Sequence, residues 1–316
     1  SSVMHSIRKD AFEKLKVIGL PTKKWENWRF TDLSDIIDKN FLISEASDAP
    51  NKTPDISKYN IDGIETIVIY NGHLQNEISS VPKGIRLLNH LEYYEFKNSK
   101  EPNPDNSPFD LLNTAFMDSG VCMVIPEGTV VEKPVRILFV SGGENSIMVN
   151  PRVHISLESG SSVTFIEEHV GDADCLFQNE TIFFEIEKNA NCEHINIQSN
   201  SINTYNMVNI HSKQSLDSVY NYYQYQDGGK FSRCNIYIDL NGINSECNIN
   251  SLSLSRFQQH FDNNIVINHN VSNTISSQIF KSALLDKSSG VFNGKSIVKK
   301  NAQKIEAHQS NNNLLL

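Results

Sequence analysis

The sharpest chemical candidate in the sequence is the triplet Cys192-Glu193-His194. Residues two apart on an extended strand share a face, so a thiol and an imidazole project side by side, two of the donors that a transition-metal site uses. Their parity opposes that of Ile195 and Ile197, which predicts that Cys192 and His194 face outward. Two ligands do not complete a coordination sphere, and an inert reading of the pair stands beside the metal one. His169 and Cys175 are a second near pair. Cys234 and Cys247 share parity with Ile236 and Ile249, the pattern of small core residues. The five cysteines are odd in number, unevenly spaced and without a C-x-x-C. They therefore predict reduced thiols in a cytosol-like compartment, not a disulfide scaffold or a structural zinc site.

Other chemistries leave fewer traces. Acid-base work on sugars needs clustered carboxylates, and after residue 150 these are scattered: Asp172 and Asp174 form one close pair, and Glu167-Glu168 one adjacent pair. Arg152, Arg233 and Arg256 stand alone in sequence. Neither G-x-x-x-x-G-K-[ST] nor G-x-G-x-x-G occurs, so no phosphate cradle of either type is encoded. No Ser/His/Asp constellation can be argued from spacing. The tyrosines Tyr220, Tyr222, Tyr223 and Tyr225 cover both faces of one strand, as a stacked aromatic ladder or a partner-binding patch. With 28 Lys+Arg against 37 Asp+Glu and a net charge of −9, the chain lacks the basic excess that nucleic-acid backbones demand. No apolar stretch approaches the roughly 18 residues of a membrane span, and the start shows no secretory leader.

The elements that must carry these residues divide into two kinds. Residues 1 to 110 hold 31 charged side chains and the following 206 only 34, which predicts an N-terminal helical or mixed cap region over 1–110 and a second region over 111–316. In the first, apolar residues from Val3 to Ile18 recur at three and four, predicting a helix stopped by Gly19 and Pro21. Trp25 and Trp28 follow, on a short helix packed by its aromatic rings. Ala46 to Asn60 reads as a surface linker, Ile67 to Tyr70 as a strand closed by an Asn71-Gly72 turn, and Pro102, Pro104 and Pro108 as a stiff, helix-incompatible connector.

Beyond Met117 short alternating strands return between polar corners at Ser159-Gly160, Asn189-Ala190, Ser215-Leu216, Asn241-Gly242 and Asn270-Val271. That spacing of about 26 to 30 residues is a repeat period. Tight primed turns are few and helical crossovers absent, so each turn must stack on the last: a mainly β chain with a right-handed parallel β-helix core. Sets such as Val153-Ile155-Leu157, Ile182-Phe184-Ile186 and Ile236-Ile238-Leu240 point inward turn upon turn. A β-helix leaves unpaired edges at its ends. The helical first part can cap one, while Leu314, Leu315 and Leu316 mark the other, where self-association of this chain is expected.

The phrase Gly19-Leu20-Pro21-Thr22 through Glu26, Trp28, Phe30, Thr31, Asp32 and Leu33 resembles the opening of the SufD branch of the SufB/SufD family of iron–sulfur cluster assembly scaffold proteins. Tyr70-Asn71-Gly72, Leu112-Asn113-Thr114-Ala115-Phe116, Ile125-Pro126-Glu127-Gly128, Val131-Glu132-Lys133-Pro134 and Gln309-Ser310-Asn311-Asn312-Asn313-Leu314-Leu315-Leu316 match in family order over nearly the whole chain. The resemblance implies a cytoplasmic, or plastid stromal, non-catalytic subunit without a bound cofactor of its own. The iron–sulfur cluster would be handled by the whole complex, with a SufB-like subunit at the C-terminal end of the β-helix and a SufC-like ATPase held by a further helical domain. Family members continue past the last phrase into more strands, a C-S-H-G-A-T type motif and that helical domain, so a fragment is expected. The histidine of that motif has no counterpart here, and its role does not pass to His308. The alternative from another class is a carbohydrate-active β-helix enzyme, a lyase or hydrolase, which requires a carboxylate row along one outer face.

Overall fold

The computed structural model describes residues 2–44, 54–97, 107–117 and 120–316. From Gly120 onward the chain winds between two parallel sheets. Sheet A stacks Gly120–Ile125, Arg152–Leu157, Cys175–Ile186, Thr204–Gln214, Phe231–Leu240, His260–His269 and Ser289–Val298. Sheet B stacks Glu65–Tyr70, Val135–Ser141, Ser162–Gly171, Asn191–Gln198, Val219–Gln226, Glu246–Ser255, Ile275–Leu284 and Glu306–Leu315. The result is the expected parallel β-solenoid, of about seven turns.

Inward residues fall in register from turn to turn. Val153, Ile182, Ile210, Ile236 and Ile265 are successive partners across sheet A, and all are buried with the remaining members of the three predicted inward triplets in one core. Each such side chain contributes about 2 kcal/mol of burial. The corners repeat as well. Gly160 (φ 69°), Asn189 (56°), Asp217 (55°), Asn244 (60°) and Asn273 (58°) take left-handed backbone at the same corner of successive turns, a conformation that Gly, Asn and Asp tolerate. Their amides reach the next turn: Asn189 N–H donates to Leu216 O at 2.9 Å and Asp217 N–H to Ile243 O at 3.0 Å.

The N-terminal region extends the solenoid and also sheathes it. Helix α1 (Ser2–Ile18) ends as predicted at Gly19 (φ 73°), whose N–H donates to Leu15 O at 2.8 Å. The Asn71-Gly72 turn joins Glu65–Tyr70 to His73–Leu74 in an antiparallel pair. After a 3-10 turn at Glu26–Trp28 and helix α2 (Ser34–Ile37), the chain runs over the outer face of sheet A, with Trp28, Leu33, Ile36 and Phe41 packed on Phe177, Tyr205, Met207 and Phe231. Helix α3 (His90–Lys97) lies by the first turn, its Tyr93 packed with Cys122 and Val124. Helix α4 (Pro108–Phe116) corrects one expectation. Pro108 opens a helix instead of excluding one, because the first helical position needs no N–H. Pro102 and Pro104 lie outside the described residues, as does the first half of the expected linker at 46–60. Its second half makes a 3-10 turn, Ser57–Tyr59, whose Tyr59 carbonyl accepts from Arg136 Nη1 at 2.5 Å.

Two of the three isolated arginines, Arg152 and Arg233, are joins between these parts. Arg152 Nη1 donates to Asn113 Oδ1 of α4 at 2.8 Å. Arg233, buried on sheet A, pairs with Asp262 and stacks at 3.7 Å on the Trp28 ring.

Candidate functional site

Cys192 and His194 do share a strand face, but it is the inner one, which corrects the outward reading. Both are 1% exposed, whereas Ile195 and Ile197 lie on the outer side and are only half-buried. The neighbouring turns decide this. Cys192 is in register between Val163 and Tyr220, and His194 between Phe165 and Tyr222, all inward. A strand locked on both edges cannot turn over to suit its own isoleucines. Burial pushes the Cys192 thiol well up, away from the thiolate that a metal or an electrophile needs. Of the tyrosines, Tyr220 and Tyr222 are inward and Tyr223 is exposed.

His194 belongs to a polar cluster sealed inside the solenoid, where Ser162–Gly171 and Asn191–Gln198 of sheet B face Cys175–Ile186 of sheet A. Alternation along the first strand sends Val163, Phe165, Glu167 and His169 inward. Across the interior, Gln178 and Glu180 come inward beside Leu176 and Ile182. The Glu167 carboxylate accepts from three donors: His169 Nε2 at 2.5 Å, His194 Nε2 at 2.7 Å and Asn196 Nδ2 at 2.6 Å. Gln178 Nε2 donates to His169 Nδ1 at 2.7 Å and to Glu180 Oε2 at 3.2 Å, and the Tyr220 hydroxyl meets His194 Nδ1 at 3.0 Å. None of these groups is more than 4% exposed.

The environment splits the two carboxyls. Burial raises Glu167, but the His169 and His194 hydrogen bonds overcome it and hold the group at about 2. Glu180 is pushed well above the usual range, by burial first and by the Glu167 charge second. One is thus an ionised acceptor and the other a neutral acid. Glu167, His169 and Glu180 each offer one ligand atom, all within 4.8 Å of one another. Cys175, paired with His169 in the sequence reading, is not among them. Neither Glu167 nor Glu180 stood out as a site by spacing, since their juxtaposition arises only from winding. The available signal was Glu167-x-His169 continuing the inward parity of Val163 and Phe165.

Outside, no register row of either sheet places two carboxylates in succession among the described residues. On sheet A, Glu185 is followed by Lys213 and Asp239, then Asn268, and Asn209 by Asn235, Asn264 and Asn293. The asparagines bond to each other along the stack, as at Asn235 Nδ2 to Asn209 Oδ1, 2.9 Å. An open groove of about 490 Å³ lies between the Trp25–Trp28 segment and sheet A. Several of its polar walls are mutually paired, for example His211 Nε2 with Asp110 Oδ2 at 3.0 Å.

Two sheets wound into a solenoid, a helical region laid along one face and a polar cluster sealed within define a parallel β-helix protein with an asparagine row on the outer face of sheet A. Comparison supplies the family. The SUF system FeS cluster assembly SufBD core domain matches residues 139–316, and the SufBD protein N-terminal region matches 1–137. The chain belongs to the SufBD family of iron–sulfur cluster assembly proteins. It is similar to the iron–sulfur cluster assembly protein SufD of Escherichia coli K12, at 26% identity over 96% of this chain and 72% of that protein. An iron–sulfur cluster assembly SufBD family protein of Synechocystis is 25% identical over 100% of the chain and 74% of its own length. The chloroplastic protein ABCI7 of Arabidopsis thaliana is 25% identical over 99% and 69%.

Proposed function

We propose that the chain is a non-catalytic scaffold subunit of a SufBCD-type complex, with the nascent iron–sulfur cluster as the cargo of the assembly and not a resident cofactor of this chain. The observation that carries this reading is that both the N-terminal and the core regions of the family match in order, together spanning nearly all of residues 1–316. The outer faces agree with a scaffold role. A carbohydrate-active enzyme needs acids lined up along one face open to solvent; Glu167 and Glu180 are enclosed, and the exposed Asp172 and Asp174 sit in the corner after Ser162–Gly171, outside the sheet rows.

A SufB-like subunit binds at the C-terminal end of the solenoid, where Glu306–Leu315 pairs with Ile275–Leu284 and its side chains are exposed. Such an open edge also favours self-association. The SufC-like ATPase is held by family sequence beyond this solenoid, and the complex works in a cytoplasm or a plastid stroma. No helix among the described residues is long and apolar enough to cross a membrane. The test is co-purification of the product of the complete gene with SufB-like and SufC-like partners under reducing conditions. Stable association is expected, and its absence contradicts the proposal.

A further inference from the structure

We propose that the solenoid interior binds one divalent first-row transition-metal ion on Glu167, His169 and Glu180. This goes beyond the scaffold reading and needs no partner subunit. Three donors from two sheets converge: one atom of each lies within 4.8 Å of the others. Ligands about 2.0–2.2 Å from a common ion stand about 3.0–3.5 Å apart. His169 Nε2 and Glu180 Oε2 are already 3.5 Å apart, while His169 Nε2 and Glu167 Oε1, at 2.5 Å, are joined by a hydrogen bond that must open for the ion to enter.

The second observation is the state of Glu180. Its side chain is fully buried, and Oε1 has no hydrogen-bond partner. A buried oxygen left without a partner beside a second carboxyl is unfavourable; an ion that displaces the Glu180 proton and sits between the two groups gives that carboxylate a partner, and its two positive charges balance the pair. The surroundings resemble an outer coordination layer. His194 Nε2 and Asn196 Nδ2 hold the Glu167 oxygens, and the Gln178 amide meets His169 Nδ1; with the ion bound, the His169 proton sits on Nδ1 and the Gln178 amide turns its oxygen to accept it, which frees Nε2 as a ligand. The donor set is nitrogen and oxygen without thiolate, which fits Zn²⁺, Fe²⁺ or Mn²⁺ and not Cu⁺.

The enclosed position requires loading while the chain folds, so the test uses the chain expressed in zinc-supplemented medium and desalted, with metal measured by mass spectrometry and ligation by X-ray absorption. About one Zn²⁺ per chain with a sulfur-free nitrogen/oxygen shell is expected. Glu180→Gln keeps the shape of the side chain without its charge, and is expected to fold and to lose at least tenfold of the bound Zn²⁺. Wild-type chain holding less than about a tenth of an ion, a shell containing sulfur, or folded Glu180→Gln retaining full occupancy overturns the proposal. Should that variant not fold, the wild-type stoichiometry and shell decide alone.

Discussion

Asp262→Ala tests how the N-terminal segment is held to the solenoid. Asp262 and Arg233 are each 1% exposed, and Asp262 accepts both from Arg233 Nη1 and from the Thr31 hydroxyl. Arg233 has two other contacts, Nε to Asn235 Oδ1 at 3.0 Å and the Trp28 ring at 3.7 Å, and among the described residues no second carboxylate forms an ion pair with it. Removing Asp262 thus leaves a buried guanidinium without its counter-charge, at a cost of about 3–5 kcal/mol. Burial pushes the Asp262 carboxyl up in spite of Arg233, as expected where desolvation opposes the attraction of a buried pair. The double replacement Arg233→Met with Asp262→Leu should accordingly cost no more than about 1 kcal/mol. Both tryptophans of the chain lie in this segment, so tryptophan emission reports its release and far-ultraviolet circular dichroism reports the solenoid. In urea, Asp262→Ala should shift the emission transition to lower denaturant ahead of the dichroism transition. A loss below about 1 kcal/mol, or a double variant as damaged as the single one, refutes the reasoning.

Three further outcomes are expected. A Cβ on Gly242 meets the Leu216 backbone nitrogen at 2.0 Å, whereas one on Gly128 meets nothing within 4 Å; Gly242→Ala should cost more than about 2 kcal/mol and Gly128→Ala, with only its left-handed φ to offset, about 1 kcal/mol, both read by thermal melting. His90 is held down to about 3, by burial first and the charge of Arg152 second, so its contribution is complete above the unfolded value of about 6.5 and is lost as pH falls toward 3. Unfolding free energy should fall by about 2 kcal/mol from pH 7.5 to 5 on its account, and an equal fall in His90→Gln would show that the loss arises elsewhere. Cys192, Cys234 and Cys247 are buried with thiols pushed up by that burial, while Cys175 is partly exposed; a thiol reagent should modify Cys175 first in the native chain and the buried thiols only on unfolding, and five equal rates would contradict the packing.

The solenoid was legible because its signals are local and repeated. Inward triplets such as Ile236-Ile238-Leu240 and corners rich in Gly and Asn report period two and turn chemistry within a few residues, and the stack only multiplies them. The sheathing of sheet A was not legible, since Thr31 meets Asp262 across 231 residues and no pattern in either segment names the other. Helix α4 was hidden by Pro108, read as a breaker when its position makes it a starter. The polar interior escaped for a related reason. Hydrophobicity predicts a facing only when a strand is free to choose it, and Asn191–Gln198 is fixed by Val163 and Phe165 on one edge and Tyr220 and Tyr222 on the other. Glu167 and Glu180 then meet because they lie on facing sheets of one turn. Spacing between 167 and 180 carries no such information.

The central claim, a scaffold subunit of an iron–sulfur cluster assembly complex, is tested most directly by affinity purification of the complete gene product with co-expressed SufB-like and SufC-like proteins, followed by mass measurement of the intact assembly. A defined complex containing all three proteins is predicted. Recovery of this protein alone, with the two others assembling without it, would contradict the account.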